Sequence, residues 1–165
     1  MSQTIAEPRT QTLDTELIVP FVNSVRSLFK TMVNMEMTVE RPYVKTDGTT
    51  SYDVSGIIGF SGQIQGSVIV SFAVAAAKKI VATFAGMEME PGTPDFADAV
   101  GELANMIAGA AKKSLGSSAN ITVPTVILGQ SHGVARLRDV PCVVIPCTTP
   151  AGNFALEVSI KRVRN

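Results

Sequence analysis

Residues 93–116, TPDFADAVGELANMIAGAAKKSLG, decide how this chain is built. Phe96, Val100, Leu103, Ile107 and Ala111 recur at steps of four, three, four and four, which is helical periodicity. The ends are marked as well. Thr93 is a capping residue, Pro94 suits the first helical position, and Asp95 complements the positive end of the dipole. Lys112 and Lys113 sit in the last turns and Gly116 follows them. A helix of about 22 residues is roughly 33 Å long. A second stripe, Asp98, Glu102, Asn105, Gly109 and Lys112, steps the same way. Two residues advance a helix by roughly 200°, so this stripe points away from the apolar one. One face is core and the other is presented to something. The spacing further predicts that the small residues Gly101, Ala104, Ala108 and Gly109 form a low surface from which Glu102 and Asn105 stand up as pegs. An outer helix face is commonly just solvated. Asn, however, is worse than Ala in a helix interior by roughly 0.6 kcal/mol, which marks position 105 for some task other than helix formation.

Working outward, residues 14–32 read as another helix, with Phe21, Val25, Leu28 and Met32 at four-three-four spacing and Pro20 near its start. Residues 37–44 read as a short strand. Residues 52–60 and 65–72 read as a hairpin turning at Ser61-Gly62, with Ile64, Gly66, Val68, Val70 and Phe72 on one side at period two. Residues 73–85 are a second, Ala-rich helix ended by Gly86. Three strands close the chain at 121–129, 142–149 and 154–163, with a loop over 130–139 that contains His132. Helices set between runs of antiparallel strands predict an α+β sandwich rather than a parallel nucleotide-binding sheet. Neither a Gly-x-Gly-x-x-Gly nor a phosphate-loop Gly-Lys-Ser/Thr sequence occurs.

The 165 residues, 45% hydrophobic and 17% charged, suit one domain over 14–165 behind a loose polar tail, 1–13. Net charge is zero and no basic run exceeds the short Lys161-Arg162-x-Arg164 tail, which argues against nucleic acid as partner. No apolar run reaches the roughly 18 residues needed to span a membrane, and the N-terminus lacks a secretory pattern. The expected location is the cytoplasm. Cys142 and Cys147 lie in a β-branched run and read as core residues. His132 is the only histidine, and a zinc site or a Ser-His-Asp triad would need more support than this sequence offers.

The segment Asp98-Ala-Val-Gly-Glu102-Leu-Ala-Asn105 resembles the Asp/Ser-x3-Glu-x2-Asn signature of the CheC/CheX/FliY phosphatase group, with a proline, Pro124, after 18 intervening residues. Gly66-Ser-Val-Ile-Val-Ser-Phe72 and the helix after Pro20-Phe-Val support the likeness, which spans roughly residues 18–160. Glu-x-x-Asn occurs once, at 102–105. A single site is CheX-like, whereas CheC-like members carry two.

The resemblance implies a CheC/CheX-like sandwich of mainly antiparallel sheet with two long central helices and an N-terminal helix. It implies a phosphatase acting on the phosphoaspartate of CheY-type receiver domains. Asn105 would orient the attacking water, Glu102 would pair with the receiver's lysine, and Asp98 would be a secondary docking contact. Gly101, Ala104, Ala108 and Gly109 would lie under the partner. No cofactor of its own is implied, because Mg²⁺ comes with the response regulator. The resemblance also implies a homodimer. A binding module, either a receiver-docking or a flagellar-switch adaptor with little chemistry, is the alternative. A small-molecule binding domain is a third reading, resting on apolar content alone.

Overall fold

In the computed structural model, which describes residues 14–116, 119–130 and 132–163, Asp14 opens the first helix by accepting a hydrogen bond from the Glu16 amide (3.1 Å). The expected tail over 1–13 lies outside the described residues. Helix α1 (Thr15–Leu28) buries Leu17, Phe21, Ser24, Val25 and Leu28. It then widens into one π-helical turn, Phe29–Val33, closed by Asn34 in the left-handed region at φ 52°. The single helix expected over 14–32 is thus two helical forms. The wider turn keeps both Phe29 and Val33 in the core.

Two short strands follow, β1 (Thr38–Val39) and β2 (Tyr43–Lys45), where the sequence predicted one. Pro42 has no amide hydrogen to give a ladder, so the chain leaves the sheet between them. The hairpin is β3 (Val54–Gly62) and β4 (Ile64–Phe72). Its strands run through Ser61 and Gly62, so the turn sits at Gln63, one residue past the expected pair. After α2 (Val74–Ala85) and α3 (Pro94–Leu115) come β5 (Ala119–Ile121) and β6 (Thr125–Leu128), again a pair where one strand was expected. Pro124 is the break. β7 (Cys142–Thr149) and β8 (Gly152–Arg162) complete the chain close to the expected bounds.

Among the described residues these eight strands form one antiparallel sheet in the order β1-β7-β8-β4-β3-β5, with β2 also on β7 and β6 also on β3. The alternation of side chains sends Val54, Ile58 and Phe60, Val68, Val70 and Phe72, and Phe154, Leu156 and Val158 to the same side. There they meet the helices in one core, in which Phe29, Phe154 and Phe72 stack with ring centroids 4.9 and 5.4 Å apart. The architecture is a two-layer α+β structure, as expected. The sheet's other face buries polar and apolar groups together: Ser55, Ser71, Glu157 and Ser159 point that way beside Ile69, Val144 and Ala155. The backbone amides of Ser51 and Tyr52, after β2, and the side chains of His132 and Arg136, between β6 and β7, reach that face and bond Glu157, Ser71 and Ser55, while Ser159 Oγ has no partner among the described residues.

Candidate functional site

Helix α3 has the boundaries its sequence promised. Thr93 Oγ1 accepts from the Phe96 amide (3.3 Å), Pro94 occupies the first turn, and Lys112 and Lys113 lie in the last. Phe96, Val100, Leu103, Ile107 and Ala111 are all buried, so the apolar stripe is the core face. On the opposite side Asp98 and Glu102 are exposed, and Asn105 and Gly109 are partly exposed. Three residues advance a helix by about 300°, so Glu102 and Asn105 lie on neighbouring turns of one face, roughly 5–6 Å apart at Cβ. Among the described residues neither side chain makes a hydrogen bond or an ion pair. A carboxylate and a carboxamide therefore leave the surface side by side with their bonding capacity unspent.

The expected low surface around them is corrected in part. Gly101, Ala104 and Ala108 are buried. They lie roughly 60° to 120° off the centre of the polar stripe, on the flank that the chain before and within β6 covers. A Cβ on Gly101 would come within 3.3 Å of Pro124 and 3.5 Å of Val126. Ala104 instead meets the bare backbone of Gly56 in β3. The small residues let α3 settle onto its own sheet and are out of a visiting protein's reach. Gly109 stays at the surface with open space beside its Cα.

Sequence reasoning missed what holds the helix from behind. Ser24 in α1 is buried and donates a 2.6 Å hydrogen bond to the Ile107 carbonyl. Gly56 gives no sequence signal for its role, and Pro124 gives only its spacing.

The remaining reactive side chains do other work. His132 Nδ1 lies 2.8 Å from the Gly129 carbonyl, which can only accept, so Nδ1 carries the proton. Nε2 then accepts from Ser55 Oγ at 2.7 Å. Ser55 is completely buried, so this Ser–His pair is closed to substrate and pins the 130–139 segment to the sheet. Cys142 and Cys147 are free thiols, and burial pushes them up to about 11 and about 12, so they stay protonated and unreactive at neutral pH. Glu157, fully buried, is met by Arg136 (2.6 Å), Lys45 (3.5 Å) and the Ser51 amide (2.8 Å) on the face away from α3. Among the described residues no group of three or more His, Cys, Asp or Glu could hold a metal ion, and no helix is long and apolar enough to cross a membrane.

A depression of about 580 Å³ lies by the π-helical turn, lined by Arg26, Phe29, Lys30 and Met37, with neither Glu102 nor Asn105 at its wall. The α3 face carries its polar groups outward.

Comparison with known proteins gives the family and matches the fold. The family model described as "Chemotaxis phosphatase CheX" matches residues 54–148. The CheY-P phosphatase CheX of Thermotoga maritima is 32% identical over 122 residues, 72% of this chain and 79% of its own length. The crystal structure of a chemotaxis protein CheX from Desulfovibrio desulfuricans superposes with a TM-score of 0.79 at 31% identity, covering 90% of this chain and 99% of that one. The fold also matches CheX in a CheX–CheY–BeF3–Mg²⁺ complex from Borrelia burgdorferi, with a TM-score of 0.76 at 22% identity, over 88% of this chain and 98% of that one.

Proposed function

The chain belongs to the chemotaxis phosphatase CheX family, and from that premise we propose that it dephosphorylates the phosphoaspartate of a CheY-type receiver domain. The observation that carries the proposal is the pair Glu102 and Asn105, unpartnered on the outer face of a helix whose other faces are packed against sheet and helix. The naming of the Thermotoga relative as a CheY-P phosphatase supports the substrate, and the Borrelia complex supports a receiver as the protein that docks.

Each residue has a chemical task. Water attacks phosphorus, the bond from phosphorus to the aspartyl oxygen breaks, and inorganic phosphate and a free carboxylate remain. The transition state is loose, so assistance is mainly positioning and electrostatics. The Asn105 carboxamide accepts from the attacking water and stays neutral at every relevant pH, so it does not repel the phosphoryl group as a carboxylate would. Positioning of this kind is worth about 10²- to 10⁴-fold, or roughly 3–5 kcal/mol. Glu102 pairs with the receiver's lysine and fixes the approach. Asp98, one turn earlier on the same face, adds a docking contact, and Gly109 leaves clearance at the other end. The chain supplies no metal; Mg²⁺ arrives in the receiver's own pocket. The acting unit in this proposal is a homodimer in the cytoplasm, its two sheets joined across the subunit boundary.

The test is a panel of purified receivers from the source cell, each phosphorylated and followed for acyl-phosphate loss with and without this protein. Accelerated loss from one receiver is the expected result. Tight binding to a phosphorylated receiver without acceleration is the result an adaptor would give, and it would overturn the proposal.

A further inference from the structure

Helix α3 is held at three successive points, two where a glycine leaves no room for a side chain and one where a hydrogen bond forms. At Gly101 an added Cβ would stand 3.3 Å from Pro124 Cγ. At Ala104 the methyl group sits where a Cβ on Gly56 would be only 2.9 Å away. At Ile107 the carbonyl accepts from Ser24 Oγ at 2.6 Å. The three partners come from three elements: the chain entering β6, strand β3, and helix α1. The points are three residues apart, so each lies roughly 60° further round the helix than the last, and together they support about 120° of its girth.

Two of these contacts are steric and resist only inward motion. The apolar contacts of α1 with α3 are non-directional and allow the helix to roll. The Ser24 hydrogen bond is different, because it is directional, short and buried. It also sits opposite the proposed chemistry, since Ile107 and Asn105 are two residues apart and point roughly 200° from one another.

We propose that Ser24 is a positioning residue, whose bond to the Ile107 carbonyl fixes the axial rotation of α3 and so the aim of Asn105. The proposal rests on the phosphatase reading above. An outer side chain lies about 5–6 Å from the helix axis, so a roll of about 10° moves its tip by roughly 1 Å. A displacement of about 1 Å costs on the order of 10²-fold in a positioned reaction. Glu102 is less sensitive, because its longer side chain follows a partner lysine by rotamer adjustment. Loss of the Ser24 bond therefore lowers turnover and leaves docking nearly unchanged.

The experiment compares wild type, Ser24→Ala, Ser24→Thr, Asn105→Ala and Val144→Ala in steady-state phosphate release from a phosphorylated receiver, well below each variant's melting temperature. Val144 is buried on the sheet face away from α3 and serves as a control for general destabilisation. Ser24→Ala is expected to lose about ten- to hundredfold in kcat with the half-saturating receiver concentration within about twofold of wild type. Ser24→Thr, which keeps the hydroxyl, is expected to recover most of that loss, and Val144→Ala to keep full kcat. Wild-type kcat in Ser24→Ala beside an inactive Asn105→Ala overturns the positioning role and leaves the phosphatase reading standing. Equal losses in Ser24→Ala and Val144→Ala, or in Ser24→Ala and Ser24→Thr, overturn it as well. An active Asn105→Ala removes the reading on which it rests.

Discussion

Replacing Arg136 by Met tests whether the buried ion cluster secures the sheet face opposite the docking helix. Glu157 has no exposure, and the side chains of Arg136 and Lys45 are only 10% exposed. Glu157 Oε1 accepts from Arg136 Nη2 at 2.6 Å and lies 3.5 Å from Lys45, while Oε2 accepts from the Ser51 amide at 2.8 Å. Arg136 also donates to the Asp47 carbonyl at 3.2 Å, so one side chain ties both covering loops to the strand. Met keeps the aliphatic stem and deletes the charge. Removing one partner of a buried pair costs about 3–5 kcal/mol, because the other charge is left uncompensated. Lys45 remains nearby, which places the expected loss at the lower end, about 3 kcal/mol. In a chain of this size that is a fall of roughly 6–12 °C in Tm, at 2–4 °C per kcal/mol. The double variant Arg136→Met/Glu157→Gln removes the stranded charge and should recover at least half of the loss. The assay is urea unfolding with calorimetry, alongside phosphatase activity at a temperature where each variant is folded. Activity should be unchanged, because the cluster and α3 lie on opposite sides of the sheet. A Tm drop under about 2 °C, or a double variant no more stable than the single one, would refute the reasoning.

Glu102→Lys should raise the half-saturating concentration of phosphorylated receiver by at least tenfold, since it sets a like charge against the receiver's lysine; titration of the rate checks it, and an unchanged value removes the docking role. Gly66 adopts φ 136°, and a Cβ there would run into the Ser159 carbonyl, so Gly66→Ala should cost about 3 kcal/mol or more and show as a large fall in Tm or in soluble yield. Cys142 and Cys147 should react with a thiol reagent at pH 8 only after denaturant is added, two per chain, and rapid labelling of the native protein would contradict their burial. The native state holds these protons more tightly than the unfolded chain. Stability is therefore retained below the ordinary thiol value near 9 and falls as pH rises toward about 11 and 12.

The outline of the fold was legible because its signals are local. Thr93, Pro94 and Gly116 bracket α3, and the four-three-four rhythm of Phe96 to Ala111 names its inner face. The period-two runs in β3 and β4 name theirs. The errors about the site share one cause. Whether Gly101 and Ala104 face solvent depends on Pro124 and Val126, some 20 residues on, and on Gly56 in β3 closing over that flank, and helical angle alone does not say so. Gly56 carries no pattern, yet its missing side chain sets how close α3 lies to the sheet. Ser24 looks like any polar residue in an amphipathic helix until the Ile107 carbonyl is found above it. The sequence pattern over 130–139 reads only as a loop, because the contacts that anchor it, Arg136 to Glu157 and His132 to Ser55, join residues 21 and 77 apart. The pair Glu102 and Asn105 was visible because it depends only on spacing within one helix.

The account stands on what the amide at position 105 does to water. The direct measurement is the rate of acyl-phosphate loss from a phosphorylated CheY-type receiver in the presence of wild type or Asn105→Ala, with circular dichroism and receiver binding measured on the same samples. The account predicts an unchanged fold, retained binding and a rate lower by about 10²- to 10⁴-fold, down to the receiver's own. A variant that binds and releases phosphate as fast as wild type would contradict it.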